Sequence, residues 1–143
     1  MTYIPEGATW YLATIVQEIS VEDEPQSVIH KNLVLVRASS RDEAYENACE
    51  LGRQSEINYE NPRGKYVRIT FKGLNELNVI HDELEHGGEL RYEELIGLSA
   101  TDVKSMLRQK KDLSVFRPIT PTEGPDYSSR EVLRDVAALI KKQ

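Results

Sequence analysis

Residues 9–21 have the sequence TWYLATIVQEISV, and they predict the central strand of a β-sheet. In the first half of this stretch both alternating sets of positions are mostly apolar, which is typical of a strand covered on at least one side. Acidic residues at 22–24 and then Pro25 end the strand, and a second apolar stretch follows at 28–38. Because the connection is short, the two strands are expected to pair as an antiparallel hairpin.

A helix is predicted directly after the second strand. Ser40 and Glu43 have the spacing of a capping box, in which each side chain accepts from a free backbone N–H of the other residue. The following residues place one apolar stripe along the helix, formed by Ala44, Ala48 and Leu51. Gly52 is a candidate for the end of the helix, and an end near Ser55 is the alternative.

The remaining pattern predicts further strands and short helices. A turn at 61–64 precedes a strand at 66–71, Gly73 marks a bulge or bend, and residues 74–80 continue that strand or form another. A turn at 85–88 and a strand at 89–96 follow, and then a helix capped by Ser99 and Asp102 and an extended stretch at 113–116. The predicted fold class is therefore α+β, with an antiparallel sheet of four or five strands, one main helix packed on a face, and a C-terminal helical extension.

The charge of the chain changes where this pattern changes. Residues 1–98 carry 9 Lys and Arg against 18 Asp and Glu, whereas residues 99–143 carry 9 against 6. We therefore predict an acidic α+β domain at 1–98 and a basic helical extension at 99–143. The last predicted helix has an apolar stripe that is expected to dock on the core or on a second subunit, and it consists of Val132, Leu133, Val136, Leu139 and Ile140.

Composition indicates which classes of partner and location to expect. A net charge of −6 argues against broad binding to nucleic acid or to anionic membranes. Cys49 is the single cysteine, so no internal disulfide can form, which fits a reducing compartment. The N-terminus lacks the basic and apolar regions of a signal peptide, and the longest apolar run is residues 136–140. The expected location is the cytoplasm.

Several short motifs occur in an order that resembles a bacterial family of unknown function, DUF4288. They are WYLA at 10–13, VRA at 36–38, DEAYE at 42–46, FKGL at 71–74, and DELE at 82–85 before Gly87 and Gly88. The resemblance covers about residues 9–96. It implies a small α+β domain and supplies no activity.

Two histidines in an acidic turn are the nearest approach to a metal motif. His81 and His86 are five residues apart, whereas the HExxH motif needs two histidines four apart on one helical face. A loop conformation could still bring both imidazoles to one divalent metal. A solvated acidic turn is the simpler interpretation, so the two residues remain weak metal candidates.

Other chemistry-bearing residues have ordinary structural explanations. Cys49 lies near the apolar stripe of the first helix and has no histidine beside it in sequence. Trp10 and Tyr11 are expected to supply one core ring and one ring that covers an edge. A basic cluster is expected to be a solvated face or a contact with acidic residues, and it consists of Lys104, Arg108, Lys110 and Lys111. No nucleophile or phosphate-loop motif is present, so we predict no catalytic residue and no cofactor.

The sequence favours a non-catalytic protein–protein interaction module. One specific hypothesis is an immunity or inhibitor protein that binds a basic partner through the acidic region 76–94. The candidate residues are Glu76, Asp82, Glu83, Glu85, Glu89, Glu93 and Glu94. A small metal-dependent hydrolase that uses His81 and His86 is one alternative, and a homo-oligomeric structural protein is another.

Overall fold

The computed structural model describes Gly7, residues 9–118 and residues 124–129. These residues divide into two units. The first contains the described residues of Met1–Arg91 and Pro125–Gln143, and the second contains those of Tyr92–Gly124. The predicted stripe Val132, Leu133, Val136, Leu139 and Ile140 lies outside the described residues.

The first unit is built on a four-stranded antiparallel sheet. Its strands are β1 (Trp10–Val21), β2 (Val28–Arg37), β3 (Ile57–Glu60) and β4 (Tyr66–Val79), in the spatial order β2-β1-β4-β3. The predicted β1–β2 hairpin is confirmed, with Trp10 opposite Arg37 and Ile19 opposite Val28. The predicted α+β class and the antiparallel sheet are also confirmed.

Strand β4 runs unbroken past Gly73, so of the two predicted alternatives the structure confirms that residues after Gly73 continue the strand. Its register against β1 shifts twice, between Thr14 and Ile15 and between Val16 and Gln17. Gly73 lies opposite Val16 at this irregularity and has a φ of 140°. A bulge of this kind bends the strand and increases its twist, so the two long strands stay paired although they curve.

Helix α1 spans Arg41–Gln54 and packs on one face of the sheet. The Ser40 side chain accepts from the backbone N–H of Glu43, as predicted. The Glu43 carboxylate, however, accepts from the Ser39 hydroxyl at 2.6 Å. Gly52 does not end the helix, which continues to Gln54 with Ser55 as its C-cap.

The core lies on this covered face in two neighbouring clusters. Under α1, Ala44 and Ala48 contact Tyr11, Ala13 and other buried sheet residues. Small helical side chains let the helix approach the sheet closely, which accounts for the alanines of the stripe. The second cluster contains Ile19, Val21 and Val67 and is joined by Tyr127 of the 125–129 segment.

A polar chain of side chains joins the sheet to the end of α1. Asn32 donates to the Gln17 carbonyl at 2.7 Å, and the Gln17 amide donates to the Ser55 hydroxyl at 2.6 Å. Ser55 in turn donates to the Gly52 carbonyl at 2.6 Å. Because a buried amide is costly unless it is hydrogen-bonded, this chain fixes where the helix ends relative to the strands.

The 125–129 segment is held on the sheet by two side chains. Asn61, only 2% exposed, donates to the Asp126 carbonyl at 3.0 Å. The Tyr59 hydroxyl donates to the Tyr127 carbonyl. The ring of Tyr127 meets the ring of His30 edge-on, with centroids 5.3 Å apart. Residues far apart in sequence therefore complete the second core cluster.

Tyr59 is expected to make stability sensitive to alkaline pH. Burial raises the pKa of Tyr59, and nearby Tyr127 and Asp126 raise it further. The folded protein thus holds this proton more tightly than the unfolded chain, whose tyrosines titrate near about 10. The stabilisation is fully present below that pH and is lost as the pH rises through the raised pKa.

Urea unfolding at a series of alkaline pH values tests this expectation. Tyr59→Phe should unfold more easily at neutral pH, because it loses the hydrogen bond to Tyr127, and should show a smaller further loss of stability in alkali. Tyr66→Phe, at an exposed tyrosine of β4, is the control. An equal alkaline slope in Tyr59→Phe and wild-type protein would contradict the assignment.

The second unit contains short elements only. Helix α2 spans Ala100–Met106, and two 3-10 turns follow at Lys110–Asp112 and Ser114–Phe116. The predicted capping box of Ser99 and Asp102 is confirmed in both directions. No helix in the described part of the chain is long and apolar enough to cross a membrane.

Two predictions of local structure are corrected, and one strand was missed. Residues 89–96 form no strand, because the turn at 85–88 leads into irregular backbone that pairs with no described strand. Residues 114–116 form a 3-10 turn in place of the predicted extended stretch, closed by the bond from Arg117 N–H to the Ser114 carbonyl. Strand β3 was not predicted: its four residues are too short to show an alternating pattern.

Candidate interaction surfaces

Four of the predicted partner-binding carboxylates lie in one turn, residues 82–89, which we call the acidic turn. The Asp82 carboxylate accepts from the backbone N–H of Glu89 at 3.0 Å, and the N–H of Gly88 donates to the Glu85 carbonyl at 2.9 Å. A Cβ on Gly88 would overlap the Glu83 carbonyl oxygen, so glycine permits this close turn. The exposed carboxylates presented here belong to Asp82, Glu83, Glu85 and Glu89.

The other three predicted carboxylates lie elsewhere in the chain. Glu76 is exposed on β4, and its carboxylate accepts from the backbone N–H of Leu77 at 2.9 Å. Glu93 and Glu94 are exposed in the second unit. The acidic turn and Glu76 therefore belong to the first unit, whereas Glu93 and Glu94 belong to the second.

His81 and His86 are both exposed at the acidic turn. Among the residues that the structure describes, no group of three or more His, Cys, Asp or Glu is arranged to hold a metal ion. His30, the third histidine, packs its ring against Tyr127.

The aromatic pair at the start of β1 divides its two rings between core and surface. Tyr11 is buried under α1, whereas Trp10 is half-buried and lies under the Arg37 guanidinium, whose Cζ is 5.7 Å from the ring centroid. Arg37 lies directly across the hairpin from Trp10, so the register produces this cation–π contact.

Cys49 is half-buried on α1, one turn from Tyr45. Its hydrogen bond with the Tyr45 hydroxyl, together with its nearby charge, raises the pKa of that exposed tyrosine. The thiol therefore has a local side-chain partner on its own helix.

The basic cluster is exposed in the second unit, and its members are Lys104, Arg108, Lys110 and Lys111. Lys110 places its ammonium 5.4 Å from the ring centroid of Phe116, so part of this cluster is occupied in a local cation–π contact. An open depression beside it is lined by Gln109, Lys110, Lys111 and Phe116.

An exposed apolar stripe runs along β2, formed by Ile29, Leu33 and Leu35, and we call it the β2 stripe. These residues alternate with inward-facing Val34 and Val36, so they lie on the face of the sheet opposite α1. Leu33 is 59% exposed and Ile29 55%. The sequence Leu33-Val34-Leu35-Val36 already shows that both faces of this strand carry apolar residues. It does not show which of the two faces the helix covers.

Residues 92–116, which we call the apolar segment, expose an unusual number of large apolar side chains. Ile96 is 86% exposed and Val115 is 83% exposed. On α2, Val103 and Met106 point outward in the same way, one helical turn apart. No residue between 92 and 118 is buried. These side chains form no core of their own within the described chain.

Comparison with known proteins identifies the family and gives no activity. The family model described as "Domain of unknown function (DUF4288)" matches residues 10–92, which include the whole sheet, α1 and the acidic turn. No curated protein and no solved structure matches the chain. Because the family model covers more than half of the sequence, the chain belongs to the DUF4288 family.

Proposed function

We propose that this protein is a non-catalytic protein–protein interaction module. The observation that carries the proposal is the apolar segment, in which ten large apolar side chains are exposed: Tyr92, Leu95, Ile96, Leu98, Val103, Met106, Leu107, Leu113, Val115 and Phe116. Apolar side chains concentrated in this way are typical of surfaces that contact another protein. Burial of aromatic and aliphatic side chains supplies most of the affinity at such contacts.

The more specific proposal is that the partner is basic, for instance a toxin or enzyme that this protein inhibits. Support comes from the acidic turn, which presents four exposed carboxylates on a backbone tied by Asp82 and Gly88. A net charge of −6 adds a long-range attraction for such a partner. Charge of this kind accelerates association more than it raises affinity, and it weakens as salt is added.

Capture of partners from native lysate at low salt tests the proposal. Tagged full-length protein should retain a partner that the double variant Ile96→Ser, Val115→Ser loses by about tenfold or more, since two interface anchors are removed. Ile57→Ser, at an exposed isoleucine of β3, is the matched control.

Two further results bear on this proposal. Recovery of a basic partner should fall with added salt and with the triple variant Asp82→Asn, Glu83→Gln, Glu85→Gln. Equal recovery of every bound protein by wild type and the Ile96, Val115 variant would contradict a role for the apolar segment.

We also propose that the basic extension 99–143 docks on the acidic domain 1–98, or on a second subunit, through the stripe of its last predicted helix. Truncation after Ser129 tests this, because it removes the stripe but keeps Asp126 and Tyr127, which complete the core. Light scattering and thermal unfolding should then show a lower mass or lower stability. Unchanged mass and stability would remove the stripe from the assembly.

A further inference from the structure

Residues 103–117, which we call the basic stretch, combine positive charge with exposed apolar side chains. They contain five cations and a single carboxylate, that of Asp112, so their net charge is +4, against −6 for the whole chain. The cations are Lys104, Arg108, Lys110, Lys111 and Arg117. All five side chains are exposed.

No carboxylate of the described residues pairs with these cations. The two ion pairs of the described chain both lie in the first unit. Lys110 and Arg117 do have local partners, the ring of Phe116 and the backbone carbonyl of Asp112, but neither of these groups carries a negative charge. The positive charge of the stretch is therefore available to a ligand.

The same stretch exposes six large apolar side chains, and its backbone is held by local hydrogen bonds. The apolar residues are Val103, Met106, Leu107, Leu113, Val115 and Phe116. The capping box of Ser99 and Asp102 begins α2, and backbone bonds between residues three apart close both 3-10 turns. Because these bonds use none of the apolar side chains, a ligand can cover those side chains with little loss of free energy to ordering.

An open depression of about 440 Å³ brings the two kinds of surface together. It is lined by Gln109, Lys110, Lys111 and Phe116. The Lys110 ammonium lies 5.4 Å from the centroid of the Phe116 ring. A ligand that places an apolar side chain on this ring would therefore bring an adjacent carboxylate close to lysine.

We propose that the basic stretch binds an acidic peptide segment of another protein, in which carboxylates stand beside large apolar side chains. The carboxylates pair with the cations, and the apolar side chains cover those of the stretch. This inference rests on the proposed role of the apolar segment as an interaction surface and adds the chemistry of its ligand. The acidic turn carries the opposite charge, so a basic partner bound there uses a separate surface.

Two other anionic ligands fit the stretch less well. The phosphates of a nucleic acid would pair with the cations but would leave the apolar side chains without cover. An anionic membrane would cover them, but it is an extended surface, and the net charge of −6 opposes its approach. A peptide contacts the stretch alone, and charges more than about 8 Å away are largely screened at physiological salt.

Selection from a random peptide library displayed on phage tests the proposal with the full-length protein. The retained peptides should include a class rich in both acidic and large apolar residues. A labelled synthetic peptide of this class should bind more weakly as NaCl is added. Absence of such a class would overturn the proposal.

Two double variants then locate the binding site of the labelled peptide. Lys110→Gln, Lys111→Gln should weaken binding about fivefold, because two exposed charge pairs are lost. Lys31→Gln, Lys72→Gln removes the same charge at exposed positions of β2 and β4 and should leave the affinity unchanged. Equal weakening by both would assign the effect to net charge and would overturn the proposal.

Competition separates the ligand classes. Single-stranded oligothymidylate, and vesicles of phosphatidylcholine and phosphatidylserine in equal parts, should displace the labelled peptide less effectively than the unlabelled peptide does. More effective displacement by either would overturn the proposal in favour of that ligand. If Ile96→Ser, Val115→Ser loses a protein partner from lysate but no acidic peptide class is found, the apolar segment remains an interaction surface and only its acidic ligand is overturned.

Discussion

Gly52→Val is expected to lower the free energy of unfolding by about 3 kcal/mol. A Cβ on this residue would lie 2.7 Å from Cζ of Phe71 and closer still to Cδ1 and Cε1 of that ring. Gly52 is buried where α1 crosses β4, so the added methyl groups have no free space. The helix must move away from the sheet or the Phe71 ring must leave its position.

Urea unfolding of the wild type and four variants measures this effect. Glu46→Val, at an exposed site of the same helix, isolates the lower helix propensity of valine. Phe71→Ala removes the ring that the new side chain would meet, so the double variant should lose less than the sum of the single losses, by about 1–3 kcal/mol. Additive losses would show that Phe71 is not the obstacle.

Asn61→Ala is expected to cost about 2–4 kcal/mol, because it leaves three backbone groups without their partner. The Asn61 carbonyl oxygen accepts from the N–H groups of Arg63 and Lys65 at 3.0 and 2.9 Å. Its amide nitrogen donates to the Asp126 carbonyl. One buried side chain therefore closes the turn before β4 and also holds the 125–129 segment on the sheet.

Two measurements distinguish these roles. Urea unfolding gives the total loss, and Asn58→Ala, at an exposed asparagine of β3, is the control. Amide hydrogen exchange at Ser128, whose N–H donates to the Asp126 carboxylate at 3.1 Å, reports on the 125–129 segment, and its protection should fall in Asn61→Ala before global unfolding is reached. A loss no larger than that of Asn58→Ala would contradict the role given to this amide.

Much of the sheet and helix could be predicted because those signals are local. The β1–β2 hairpin follows from two apolar runs and a short acidic connection, and the start of α1 follows from Ser40. The sequence left the end of α1 open between Gly52 and Ser55, and the structure confirms the end at Ser55. The role of Gly52 could not be predicted because it depends on Phe71, nineteen positions away in sequence. The helix propensities of the residues contain no information about such a contact.

Some candidate surfaces could likewise be identified from the sequence, whereas others required the tertiary structure. Composition alone identified the acidic region and the charge change near residue 98. The β2 stripe could not be assigned, because both faces of β2 are apolar and only the position of α1 shows which one is covered. Nor did any pattern assign Asn61 and Gln17, whose partners are remote in sequence.

The sequence by itself determined the class of the fold, the hairpin, the N-caps of both helices and the charge of each region, since each depends on neighbouring residues. The tertiary structure decided which face of the sheet is buried, why Gly52 is required, and which segment closes the second core cluster. The reason is that burial and hydrogen-bond satisfaction depend on residues brought together from distant positions by the fold.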